Sequence, residues 1–335
     1  MSRARTPREV MRAMPVEDLL IDFPDGITAI DTQYVRRLAD ASHLIVHGGR
    51  AAFVDTGTNS AVPTLLAAIE ARGLKREAID YVLLTHVHLD HAGGAGLLMQ
   101  SLPNARAVLH PRGARHLVDP AKLIAGALAV YGEEAFQRLY GTLVPIPESR
   151  ILVAGDGMEL MLGGGRRLEL IHTPGHALHH YAIVDHAARA IFSGDNFGIS
   201  YRDFDTSHGE FIFPTTSPVQ FDPEAMHATI DRLMSYQPKA IYLTHYSRVS
   251  DLARLARDLH AGVDAYVELA RRHHGKPDRG ALMRKDMAAW FDAALDRHGY
   301  TGNSVTRREL LEFDIDINCQ GLEVWLDRRA GAGRE

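Results

Sequence analysis

The chain has 335 residues, 46% hydrophobic and 24% charged, with a net charge of −5 and a pI near 6.4, the profile of an ordinary globular protein. The acidic balance, with no basic run, argues against a nucleic-acid surface. No apolar stretch reaches the ~18 residues of a membrane span, residues 1–10 lack the apolar segment of a signal peptide, and the single Cys319 excludes an intramolecular disulfide and fits a reducing compartment. The expectation is a cytoplasmic protein that acts on a small molecule.

In chain order, residues 1–24 read as a loosely structured lead-in, 25–250 as the body, and 251–335 as an extension. Strand-like runs fall at 27–30, 43–47 and 51–54, the last leading into Asp55-Thr56-Gly57. Ser60 is placed to cap a helix over 61–71 that Gly73 ends. The apolar run 81–84 reads as a buried strand. It delivers the most informative segment, Thr85-His86-Val87-His88-Leu89-Asp90-His91-Ala92-Gly93-Gly94. Side chains two apart on an extended segment point the same way. His86 and His88 can therefore converge on one ion, while Asp90 and His91, past the strand end, can turn toward another. Imidazole with carboxylate suits zinc, iron or manganese.

Further on, 105–110 reads as another strand and 120–141 as an apolar or amphipathic helix, either extra packing or a wall over the site. Three more strand ends each present a ligand type: His176 after 168–171, in Thr173-Pro174-Gly175-His176; Asp195 after 190–192, in Ser193-Gly194-Asp195; and His245 after 240–243, behind Thr244. A catalytic metal site gathers ligands in this way from separate strand ends. Residues 197–223 form a long aromatic-rich insertion that leaves Asp195 directly, and long loops inside compact domains are usually functional. Tyr201 and Phe213 in it are expected to contact a partly apolar substrate. His47, His110 and His208 are weaker pocket-facing candidates, and His273 and His274 are expected at a solvated helix end. From 250 onward the pattern turns helical, with a first helix beginning near 252, others at 281–297 and 307–311, and a strand or helix at 322–326. This extension would cover the core, roof the site or form a homodimer.

With five motifs in order, residues 25–250 resemble the metallo-β-lactamase-fold superfamily. The resemblance implies an α/β, four-layer αββα sandwich, here with a helical C-terminal extension. It also implies two divalent metal ions, most simply zinc, with iron or manganese as alternatives. His86, His88 and His176 would hold one ion and Asp90, His91 and His245 the second. Asp195 would bridge them, and Asp55 would brace the metal loop. His180 falls where many members carry a second histidine, in a packing or a catalytic role.

The chemistry expected is hydrolysis. Two cations about 3.5–4 Å apart share and acidify a water that attacks a carbonyl carbon or phosphorus, with Asp90 as ligand and catalytic group. Ester, lactone, thioester and phosphodiester bonds all suit such a site. The basic signature of the superfamily's glutathione thioesterases is missing. The rival readings are a diiron redox enzyme on the same fold and a non-enzymatic metal-holding scaffold. The diiron flavoproteins carry glutamate where this chain has His88, and a degenerate scaffold would have lost ligands.

Overall fold

Strands buried on both faces carry apolar residues at successive positions, and here the two faces of the central strands enter different cores. The computed structural model describes residues 14–216 and 218–332. One sheet takes its seven strands in chain order: β1 (Leu20–Phe23), β2 (Ile27–Asp31), β3 (Ala41–His47), β4 (Arg50–Val54), β5 (Ile79–Leu83), β6 (Arg106–Leu109) and β7 (Ile151–Val153). The second has six, in the order β13 (Ser247–Val249), β12 (Ala240–Leu243), β11 (Ala190–Gly194), β10 (Tyr181–Asp185), β9 (Arg166–His172) and β8 (Met158–Leu162).

Ile45, Ala52, Val54 and Leu83 of the first sheet meet Leu168, Leu170, Phe192 and Tyr242 of the second in a core between the sheets. Their neighbours Leu44, Phe53 and Val82 face outward onto α1 (Val62–Ala71) and α3 (Ala95–Ser101). Ile171, Ile191 and Ile241 face the opposite way, onto α7 (Pro223–Ser235), α8 (Leu252–His273), α9 (Arg279–Arg297) and α10 (Ser304–Ala332). The result is the four-layer αββα arrangement expected, closed on one side by the C-terminal helices.

Several local expectations are corrected. Residues 1–13 of the expected lead-in lie outside the described residues, but 20–23 form β1, paired with β2. Ser60 does not cap α1; its hydroxyl bonds the Thr58 hydroxyl at 2.8 Å. The 120–141 helix is two, α5 (Ala121–Tyr131) and α6 (Glu133–Leu139), broken at Gly132, whose φ of 76° a helix cannot hold. The pieces at 307–311 and 322–326 belong to the one helix α10. His273 is buried and hydrogen-bonded to Asp286 at 2.8 Å rather than solvated.

The α10 helix crosses the insertion at very close range. The Thr216 N–H donates to Asn318 Oδ1 at 2.6 Å and its hydroxyl to the Asn318 carbonyl at 2.8 Å. A Cβ at Gly321 would lie 1.4 Å from the Thr216 carbonyl oxygen. Glycine inside a helix ordinarily costs about 1 kcal/mol against alanine, so contact rather than propensity keeps it there. Gly321→Ala should therefore destabilise the protein by about 1–3 kcal/mol, the usual cost of overpacking. Urea denaturation checks the sign, and stabilisation would mean that α10 does not dock this tightly.

Candidate metal centre

β4 and β5 run parallel, as do β11 and β12, and β9 and β11 are both antiparallel to β10. The C-terminal ends of β5, β9, β11 and β12 therefore open on one edge of the sandwich. Each is followed there by a loop, short after β5, β9 and β12 and long after β11. The loop after β5 carries His86 and His88 and enters α2 (Leu89–Ala92), which carries Asp90 and His91; the other three carry His176, Asp195 and His245.

The seven side chains meet. Donor atoms of His86, His88, His176 and Asp195 lie within 4.8 Å of one another, and those of Asp90, His91 and His245 form a second such group. Within the first, His86 Nε2 is 2.8 Å and His176 Nε2 3.0 Å from His88 Nδ1. Asp195 lies between the groups. Its Oδ2 is 3.3 Å from His176 Nε2, and its Oδ1 is 3.2 Å from His91 Nε2 and 3.6 Å from His245 Nε2.

This donor set fits divalent cations. His91 Nε2 and Asp195 Oδ1 are buried and have no hydrogen-bond partner among the described residues, although they lie close together. Buried polar atoms are normally satisfied, and a cation would satisfy both. The electrostatics agree. Burial, with the imidazoles of His91 and His88, pushes His86 well below the usual imidazole range, and burial with His176 does the same to His88. Burial also works to lower His91, but the carboxylates of Asp195, Asp55 and Asp90 hold it well above that range. Burial is likewise outweighed at His245, which Asp195 and Asp90 raise to about 9. Without a cation, protonated imidazoles offset the buried carboxylates, and metal binding would displace those protons.

Behind the donors stands Asp55, which follows β4 with a left-handed φ of 54°, a conformation aspartate adopts more readily than most residues. Its Oδ1 accepts the Thr85 N–H at 2.8 Å, and its Oδ2 accepts the hydroxyls of Thr85 and Thr244, each at 2.8 Å. The same Oδ2 lies 2.7 Å from His91 Nδ1. One carboxylate thus fixes the ring of His91 and the residues immediately before His86 and His245. His245 Nδ1 is 2.8 Å from the Ala39 carbonyl, which turns Nε2 toward the cluster.

His180 lies beneath this layer. Its Nδ1 is 2.7 Å from the Thr173 hydroxyl, and its Nε2 accepts the Asp195 N–H at 3.3 Å, a supporting position.

A cavity of about 450 Å³ opens over the cluster, with His88, Asp90, His176, Asp195 and His245 in its floor. α5 supplies one wall, including Leu123 and Val130, so the 120–141 segment walls the cavity. α10 supplies Phe313, Asp314 and Ile317. Of the two residues expected to contact substrate, Tyr201 lines the cavity and Phe213 does not. It is fully buried, with its ring 5.9 Å from Tyr201 and 5.0 Å from Phe291, and it backs Tyr201 rather than facing the cavity. The insertion turns only some of its aromatics toward the site. His47, His110 and His208 are not in the lining either. Sequence reasoning missed Tyr34, His179 and Asp314, which are. The His179-His180 doublet was a signal for His179; Tyr34 and Asp314 carry no motif.

Fold and cluster together define a metal-site protein of the metallo-β-lactamase type. Residues 36–245 match the family model described as the metallo-beta-lactamase superfamily, and the chain belongs to that superfamily. It is 29% identical over 177 residues to the metallo-beta-lactamase fold-containing protein ST1585 of Sulfurisphaera tokodaii, covering 52% of this chain and 63% of that protein. It is 30% identical over 216 residues to a hydroxyacylglutathione hydrolase of Acidiphilium cryptum, covering 64% of this chain and 67% of that enzyme. The matches thus span about two thirds of these relatives. The crystal structure of ST1585 superposes with a TM-score of 0.60 at 22% identity, covering 89% of this chain and 98% of that one.

Asp55→Asn should keep the fold but lose one of the acceptor positions that hold the His91, Thr85 and Thr244 network. Mutations of this kind typically cost 10–100-fold in metal affinity. Competition with a chromophoric chelator measures the loss, and unchanged affinity would remove Asp55 from the centre's architecture.

Proposed function

We propose that the chain is a metal-dependent hydrolase of small, partly apolar substrates, with two divalent cations at the strand ends. His86, His88 and His176 would hold one, Asp90, His91 and His245 the other, and Asp195 would reach both. The observation that carries this reading is Asp195, whose two oxygens divide between the two groups of imidazoles.

When bound, such a cation pair supplies Lewis acidity and acidifies a water for attack on a carbonyl carbon or phosphorus. The chain's own groups do the positioning. Asp90 lines the cavity, with Oδ2 3.6 Å from His245 Nε2 and 3.8 Å from His91 Nε2. Burial works to raise its carboxyl, but His91 and His245 bring it down to about 2, so it stands ionised, able to hold a cation and to orient the attacking water. α5, α10 and the insertion wall off the reacting group from solvent and offer apolar surface to the rest of the substrate. Among the described residues the lining holds one lysine, Lys122, and no arginine, which favours an ester, lactone, thioester or phosphodiester of modest charge over a polyanionic substrate. Histidine at 88, rather than the glutamate expected of a diiron redox enzyme, favours hydrolysis.

Chelator-stripped protein, assayed on chromogenic esters, lactones, thioesters and phosphodiesters, should regain activity with zinc or manganese and need no electron donor. Asp195→Asn should lose metal from at least one group and cut activity about a hundredfold or more, beyond the cost of a supporting mutation. Strict iron dependence with oxygen consumption would transfer the chain to the redox reading. A fully metallated, fully active Asp195→Asn protein would contradict the ligand assignment.

A further inference from the structure

α10 follows the residues that match the family model and brings its own side chains to the cavity. Most of these are apolar, as Phe313 and Ile317 show. Asp314 between them is only 6% exposed, yet it too lines the cavity.

Asp314 is poorly satisfied. Its oxygens accept the Tyr201 hydroxyl at 3.2 and 3.3 Å, and no other side chain among the described residues donates to them. A carboxylate has about four acceptor sites, so most of its capacity is unused. No lysine or arginine forms a salt bridge with it among the described residues. Arg36 bonds Asp203 at 2.9 Å and lies over the Tyr201 ring, 4.4 Å from its centroid, outside the cavity lining. Burial pushes the Asp314 carboxyl up to about 7, against the pull of His245, the Tyr201 hydroxyl and Arg36. A buried carboxylate without an opposite charge is costly, and a cationic ligand that reaches it removes the cost. Lys122 in the lining is exposed on α5.

We propose that Asp314 is the recognition residue for a substrate that carries a primary ammonium group on an apolar body. The ammonium donates to the Asp314 carboxylate, the apolar body lies along α5 and α10, and the group to be cleaved reaches the His/Asp cluster. This assignment rests on the cavity being the substrate site of the proposed hydrolase. It names an amphiphilic amine as the substrate class, and it gives the extension a role in specificity.

The test reads binding rather than turnover, so its failure is distinct from failure of the hydrolase reading. Metal-loaded protein is titrated calorimetrically at pH 8 with n-hexylamine and with 1-hexanol. The amine is protonated there, its ordinary pKa being near that of lysine, about 10.4. Wild type should bind hexylamine about tenfold or more tightly than hexanol, the scale of a charge-assisted hydrogen bond. Asp314→Asn, with metal content and circular dichroism unchanged, should lose that preference. Tyr201→Phe frees the carboxylate from the Tyr201 hydroxyl and should keep or strengthen it. Equal or absent binding of both probes by wild type would overturn the proposal. So would a preference that survives in Asp314→Asn, because the amine would then be held elsewhere, for example by the cations. If Asp314→Asn does not fold, the wild-type preference and the Tyr201→Phe result decide the matter.

Discussion

The Asp55 carboxylate is the constraint on which the site depends. Its oxygens bind the backbone and hydroxyl of Thr85, the hydroxyl of Thr244 and the ring of His91. These groups come from both sheets and from the helix that follows the metal loop. A single buried acceptor therefore fixes, relative to one another, loops that the backbone alone leaves independent. Imidazole donors hold a cation only when their rings are oriented before it arrives, and carboxylate or carbonyl contacts to the remote ring nitrogen provide that orientation. His91 receives it from Asp55 and His245 from the Ala39 carbonyl.

The site sits where parallel strands end together, and three other segments shape what reaches it. α5 forms one wall, the insertion after Asp195 brings Tyr201 into the lining, and α10 brings Asp314. The superfamily match ends at residue 245, before α10 begins. The metal cluster thus lies within the matched residues, while α10, one part of the far wall, lies after them. The same division explains why fold and relatives point to a reaction type without naming a substrate.

Much of the centre was legible in the sequence, for a physical reason. Ligand types recurred after short apolar strands, and such strands end at a shared edge. The C-terminal region was legible only as helical. In α10 the buried positions Leu311, Asp314, Ile315, Asn318, Cys319, Leu322, Trp325 and Leu326 follow helical spacing throughout. Asp314 and Asn318 interrupt the apolar stripe, so one helix read as fragments. Those two residues are polar because one faces the cavity and the other binds Thr216. Phe213 shows the converse limit. Aromatic richness marked the insertion as notable, but the direction of each ring depends on tertiary packing, and this one turned toward Phe291.

The central claim is that one buried carboxylate, flanked by two groups of imidazoles, serves a pair of cations. Elemental analysis of protein purified without chelators measures this directly. The account predicts two transition-metal ions per chain, and no more than trace metal in the natively folded protein would contradict it.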